Sequence, residues 1–382
     1  MLPEPDAAAK VHSALVVAAV RAEIERSGGW ISFARYMHLV LYAPALGYYV
    51  AGARKFGSAG DFVTAPETTP LFGQSLAVQI AQIIGATEGR EILELGAGSG
   101  TLAADVLNAL ATLGASPSRY AILEVSPDLR ERQRATIARR AAGELARVEW
   151  IDALPGTIDG AVVLNEVLDA VPPHVIARRG GEWFERGVAI GADLHWEERP
   201  LADAALRALA RERFPASGDY VSEINPAAEA LVEEIGRRLT AGAMLIIDYG
   251  FPQAEYYHEQ RRDGTLMGHY RHHAHSDPFL FPGLSDLTAH VDFTAMALAG
   301  ERAGLQVAGY APQAAFLLCC GILERLRDSG EPTSMTYIRG AAAVQTLTSP
   351  AEMGELFKVL ALAKGADIPW PGFAVADRSH RL

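Results

Sequence analysis

The sequence predicts an α/β fold built around a mostly parallel sheet, and three observations predict it. From residue 90 onward short apolar runs alternate with helix-length segments. A glycine turn, Gly96-Ala97-Gly98-Ser99-Gly100, joins the first run to the first helix. The 382 residues are 49% hydrophobic and 21% charged, enough for one elaborated domain or two modest ones with a packed core. Alternating β and α of this kind gives a parallel sheet covered on both faces.

The elements follow in order. Residues 10–28 carry Val11, Leu15, Ala18, Ala22 and Ile24 near helical spacing, and Gly28-Gly29 ends that helix. A second helix follows Ser32, its N-cap, through Phe33, Met37 and Leu41. Tyr42 to Pro70 is rich in turns, and Leu71 to Ile84 reads as a helix. Residues 1–84 are thus N-terminal helices with a covering loop. Strands are expected at Glu91–Leu95, Tyr120–Val125, Val148–Ile151, Gly160–Leu164 and Met244–Asp248, with helices at Thr101–Leu113, Asp128–Ala142 and Pro226–Leu239. A final hairpin between Gln306 and Leu318 brings the sheet to seven strands. The core then spans residues 85–173 and 223–325. Residues 174–222 and 252–290 break the alternation and read as insertions on the substrate side, and 326–382 reads as a helical extension.

Bulk properties narrow the function. A net charge of −12 lacks the basic footprint of general nucleic-acid binding. The two cysteines, Cys319 and Cys320, are adjacent in an apolar run, which suits buried thiols and neither a disulfide framework nor a zinc site. No segment approaches a membrane span, and the acidic, proline-bearing N-terminus resembles neither a signal nor a transit peptide. A cytoplasmic protein is the expectation. Histidines 269, 272, 273 and 275 do not follow a zinc spacing and are read as a substrate-side loop.

The chemistry concentrates at strand ends. Glycines at 96, 98 and 100 let the chain turn sharply and let a ligand approach the backbone. A pyrophosphate fingerprint needs G-x-G-x-x-G, whereas here the third glycine comes one place early. G-x-G-x-G after an acid at the strand end is the pattern of S-adenosylmethionine enzymes. Glu94 suits that cofactor's cationic amino group and sulfonium. Glu124 ends the second strand, where doubly wound folds face a ribose. Asp152, after the third strand, is placed to meet an adenine amino group or simply to be solvated.

Asn165, Glu166 and Asp169 follow the fourth strand, at the end of the sheet where ligands sit. Glu166 and Asp169 are three apart, so a helical turn would give them one face. Two carboxylates could then grip a guanidinium; helix capping by one of them is the plainer alternative.

Several separated blocks resemble the MidA-like methyltransferase family, bacterial relatives of the mitochondrial complex I assembly factor that methylates arginine. They include Gly60-Asp61-Phe62-Val63-Thr64-Ala65-Pro66-Glu67, the Glu94–Gly100 loop, Asn165–Pro172, Asp248-Tyr249-Gly250, Gly264-Thr265-Leu266 and Pro282–Phe293. The resemblance runs over roughly residues 30–325. It implies a Rossmann-like class I methyltransferase fold, S-adenosyl-L-methionine as cofactor, and methyl transfer to an arginine of a protein partner such as a respiratory complex I subunit. It further implies that Gly96, Gly98, Gly100 and Glu124 hold the cofactor while the Asp61–Thr64 loop closes over it. Three other readings stay open: a nicotinamide-dependent oxidoreductase, an assembly chaperone that binds S-adenosylmethionine without turnover, and a small-molecule methyltransferase.

Overall fold

The computed structural model describes residues 2–50 and 64–382. They form two compact units, one drawn from residues 2–50 with Asp169–Glu229 and Phe251–Asp292, the other from residues 64–168 with Ala230–Gly250 and Phe293–Leu382. Among the described residues no helix is long and apolar enough to cross a membrane.

The second unit holds the main sheet. Its strands within this unit are β1 (Glu91–Leu95), β2 (Arg119–Leu123), β3 (Val148–Ile151), β4 (Ile158–Asn165), β5 (Leu239–Phe251), β6 (Gln306–Pro312) and β7 (Phe357–Lys364). They lie in the order β6-β7-β5-β4-β1-β2-β3. Pairings along β5-β4-β1-β2-β3 are parallel, and β7 runs antiparallel to both neighbours. This is the Rossmann-like class I methyltransferase arrangement that the sequence predicts. Both faces are covered, so the strands read as apolar runs: Ala161 to Leu164 in β4 and Met244 to Ile247 in β5 are all buried. At the amino end of these strands Gly160 and Gly242 take φ of +152° and +118°, which would turn a Cβ into the neighbouring strand. A Cβ on Gly242 would stand 1.9 Å from the Gly160 carbonyl oxygen, and one on Gly160 would stand 2.0 Å from that of Glu91.

Two expectations fail here. No hairpin closes between Gln306 and Leu318, because Gln313–Cys319 is a helix that buries Phe316 and Leu317 while Leu318 is exposed. A short apolar run does not by itself distinguish a strand from a buried helical turn. The partner of β6 is β7, inside the stretch 326–382 expected to be helical. Its sequence, FKVLALAK, is rich in good helix formers, and pairing on both edges overrides that preference.

Helices cover this sheet: α1 (Pro70–Gly85), α2 (Thr101–Thr112) and α3 (Pro127–Arg140) among them. α1 and α2 approach closely, since a Cβ on Gly73 would lie 2.8 Å from Asp105 Cβ.

The other unit contains an antiparallel sheet of Trp30–Ser32, His174–Arg179, Glu182–Ile190, Leu194–Pro200 and Tyr220–Ile224. Against it packs a core of Val16, Val20, Ile24, Phe33, Tyr36, Met37 and Leu41 with Val175 and Val188. Ser32 caps its helix as expected, its Oγ accepting from Arg35 N–H. The N-terminal helix, Ala7–Arg26, turns a different face inward: Val11 and Leu15 are 64% and 54% exposed, and Val16, Val20 and Ile24 are buried. Alanine and valine surround that helix, so composition leaves its phase undefined. The histidine-rich stretch is a hairpin, Met267–Tyr270 paired with His273–His275. Arg271 and His272 take positive φ at its tip, the geometry of a two-residue turn.

Candidate active site

The cradle begins where β1 ends. Glu94 is 2% exposed, and its Oε2 accepts a 2.8 Å hydrogen bond from the Tyr120 hydroxyl on β2. Burial disfavours the ionised carboxyl and pushes it up to about 7, with the tyrosine hydrogen bond opposing. The chain then turns through Gly96, Gly98 and Gly100 at φ +65°, +52° and +82°. Glycine takes these left-handed positions without steric cost. At Gly100 the space is also closed, since a Cβ would meet Gln133 Cα at 2.9 Å and its carbonyl oxygen at 3.1 Å.

Glu124 follows β2 and is buried. Its Oε1 accepts from Ser126 N–H at 2.8 Å and its Oε2 from Gln133 Nε2 at 3.1 Å. The same Gln133 amide nitrogen donates to the Gly98 carbonyl at 3.2 Å, and Gln133 Oε1 accepts from Trp150 Nε1 at 2.9 Å. Fully buried on α3, Gln133 therefore ties the glycine turn, Glu124 and β3 together. Sequence reasoning missed it, because one glutamine within an otherwise polar helix carries no distinguishing signal. Asp152, one residue past β3, is exposed.

On the other side β4 ends at Asn165. Glu166 has φ +53°, strained for a residue with a Cβ, and several bonds hold it there. Its N–H donates to the Ile247 carbonyl at 2.9 Å. Its Oε1 accepts from Ala65 N–H and from Asn165 Nδ2, each at 3.2 Å. Asp248, at the facing end of β5, accepts from Val167 N–H at 3.3 Å and Leu168 N–H at 3.0 Å. That locking role for Asp248 was also not legible, although its block was. Asn165 is 9% exposed, and its Oδ1 has no hydrogen-bond partner among the described residues.

The expected helical face for Glu166 and Asp169 is not formed, because none of residues 166–170 is helical and Glu166 is left-handed. Asp169 belongs to the other compact unit, where it is buried and its carbonyl accepts from Ala289 N–H at 2.9 Å. Thr64 precedes the short helix Ala65–Thr68, and its carbonyl accepts from the Thr68 hydroxyl at 3.2 Å. Asp61 lies outside the described residues.

The backbone turns through three left-handed glycines between buried carboxylates at the ends of β1 and β2, a donor and acceptor set that suits a ribose and a cation. A pyrophosphate turn would need its third glycine one place later, at Thr101. These residues therefore fit S-adenosyl-L-methionine.

Comparison with known proteins agrees. Residues 75–311 match the model of a family described as "Putative S-adenosyl-L-methionine-dependent methyltransferase". The mitochondrial protein arginine methyltransferase NDUFAF7 of Mus musculus is 33% identical over 88% of this chain and 82% of its own length. Its Homo sapiens counterpart is 31% identical over 88% and 81%. A crystal structure from Burkholderia thailandensis, bound to S-adenosyl-homocysteine, is 49% identical over 100% of both chains with a TM-score of 0.96. The strand order, the cradle and these matches together place the chain in that MidA-like family of methyltransferases, with S-adenosyl-L-methionine as its cofactor.

Proposed function

We infer that the chain methylates an arginine side chain of a protein partner, a respiratory complex I subunit being the first candidate. The observation that carries this reading is Glu166, a carboxylate at the carboxyl end of β4 whose left-handed backbone is fixed by Ile247 and whose neighbours Val167 and Leu168 are fixed by Asp248. Strain kept in place by so many bonds marks functional positions. Relatives named as protein arginine methyltransferases support the choice of acceptor.

In this reading Gly96, Gly98 and Gly100 admit the cofactor to the backbone, and Glu124 takes its ribose hydroxyls. Glu94 faces its cationic part, and Asp152 the adenine. Thr64 and the undescribed Asp61 belong to the covering loop. Bound S-adenosyl-L-methionine supplies an electrophilic methyl group on a sulfonium. A guanidinium is a poor nucleophile because its positive charge is spread over all three nitrogens. The Glu166 carboxylate would draw that charge toward the nitrogen it binds and leave another more nucleophilic. Asn165 Oδ1 would accept an N–H of the acceptor. Most of the rate then comes from alignment and exclusion of water.

The test is transfer of labelled methyl from S-adenosyl-L-methionine into lysate of cells lacking the gene, fractionated into protein, nucleic acid and small molecules. Label in a protein band, recovered as methylarginine after hydrolysis, is the expected result. Label confined to small molecules would overturn the acceptor assignment. No label despite cofactor binding would instead indicate a binding chaperone.

A further inference from the structure

Glu67 closes the block Gly60–Glu67. It sits on the four-residue helix Ala65–Thr68. Its carboxylate Oε1 accepts a hydrogen bond from the Ser99 hydroxyl, in the middle of the glycine turn. Ser99 Oγ is a junction, reaching Thr101 Oγ1 at 2.8 Å and accepting from Thr101 N–H at 3.3 Å. Thr101 in turn accepts from Arg140 at 3.4 Å, and Arg140 pairs with the buried Asp105 at 2.8 Å. A continuous polar chain therefore runs from Glu67 through the turn to the first two turns of α2.

The same short helix is held at its other end, where Ala65 N–H donates to Glu166. Two residues apart, one segment thus grips the cofactor turn by a side chain and the acceptor-side carboxylate by a backbone group. Its position is set from behind as well, because α1 follows it directly and α1 abuts α2 at Gly73 and Asp105. Ser99 lies just before the start of α2, where a carboxylate is favoured by the helix dipole.

We propose that Glu67 is a positioning residue: through Ser99 it fixes the glycine turn in its cofactor-accepting conformation, and through its own helix it links that turn to Glu166. The left-handed glycines on either side of Ser99 make the turn pliable by themselves. The Glu67–Ser99 bond is the side-chain restraint placed between them. Glu67 itself need not touch the cofactor.

The experiment is a double-mutant cycle on the full chain, with Glu67→Ala, Ser99→Ala and both together. The readouts are the Kd for S-adenosyl-homocysteine by calorimetry and the Tm of the ligand-free protein. A charge-assisted hydrogen bond gives an expected weakening of about tenfold for each single variant. The double variant is expected to bind no more weakly than either single one, with every Tm close to that of the unchanged protein. Glu67→Gln, whose amide oxygen still accepts from Ser99, is expected to recover much of the affinity and serves as the comparison if Glu67→Ala folds poorly. Unchanged Kd with a lowered Tm would reduce Glu67 to a packing residue. Additive losses in the double variant would show that the two act separately. Either result overturns the proposal.

Discussion

The two ends of the site are built on opposite terms. Around β1 and β2 the buried polar groups are matched: Glu94 with Tyr120, Glu124 with Ser126 and Gln133, Gly98 and Trp150 with Gln133. At the end of β4 the backbone is strained at Glu166, and Asn165 Oδ1 has no hydrogen-bond partner among the described residues. A matched network makes a rigid receptor for a ligand that must be held the same way every turnover. A strained turn with an unsatisfied acceptor costs stability and gains only when a substrate arrives. The binding half is therefore expected to fail through affinity and stability, and the acceptor half through rate.

The sharpest way to break that division is Glu166→Gln. Turnover is expected to fall by about 10³-fold while the Kd for S-adenosyl-homocysteine stays within a few-fold, measured by single-turnover assay and calorimetry. A parallel loss of cofactor affinity would erase the distinction between the two halves. Gly100→Ala comes next. Its Cβ would collide with the backbone of Gln133 at a positive φ, so cofactor affinity is expected to drop by about a hundredfold, with a lower Tm. Gln133→Leu keeps the volume but strands Trp150 Nε1 and the Gly98 carbonyl. The expected loss is about 2 kcal/mol of unfolding free energy by denaturant titration, with weaker cofactor binding and an unaltered rate at saturation.

A subtler effect is a pH slope. Glu94 ordinarily titrates at 4.5, and burial raises it to about 7 in the folded chain. The folded state then binds more protons than the unfolded one between those values, so this contribution is full below 4.5 and is lost as pH rises through 7. Asp105, lifted from 3.8 to about 6 by burial with Arg140 opposing, acts with the same sign over a lower window. Glu94→Gln is expected to confine the slope of ligand-free stability to that lower window. Denaturant titrations at pH 5 and pH 8 check this; an unchanged slope would place its origin elsewhere. Smallest of all, Tyr120→Phe should cost about 1 kcal/mol and move the Glu94 titration higher still, because its counteracting hydrogen bond is gone.

Much of the cradle was legible because local rules decide it. Glu91–Leu95 and Val148–Ile151 are strands with the expected boundaries, and the glycines of the turn occupy left-handed positions as their spacing implies. What depends on distant partners was not legible. Gln133 matters only because Gly98, Glu124 and Trp150 converge on it. The three-residue spacing of Glu166 and Asp169 suits a helical turn, yet the ends of β4 and β5 impose a different path on Glu166. Val11 and Leu15 show the limit of periodicity in a helix apolar on several sides, and FKVLALAK shows the limit of propensity where a sheet needs one more strand.

That last strand has a consequence for synthesis. β7 lies between β5 and β6, yet it follows both in the sequence by many residues. As the chain emerges from the ribosome, β5 and β6 cannot hydrogen-bond to each other in their final places; β5 waits with the edge that faces β7 bare, and β6 waits without its strand partner. A bare apolar edge is the surface on which strands of neighbouring chains pair wrongly. The sheet closes only when residues 357–364 slot in, so the nascent chain cannot protect its own centre until β7 has been made.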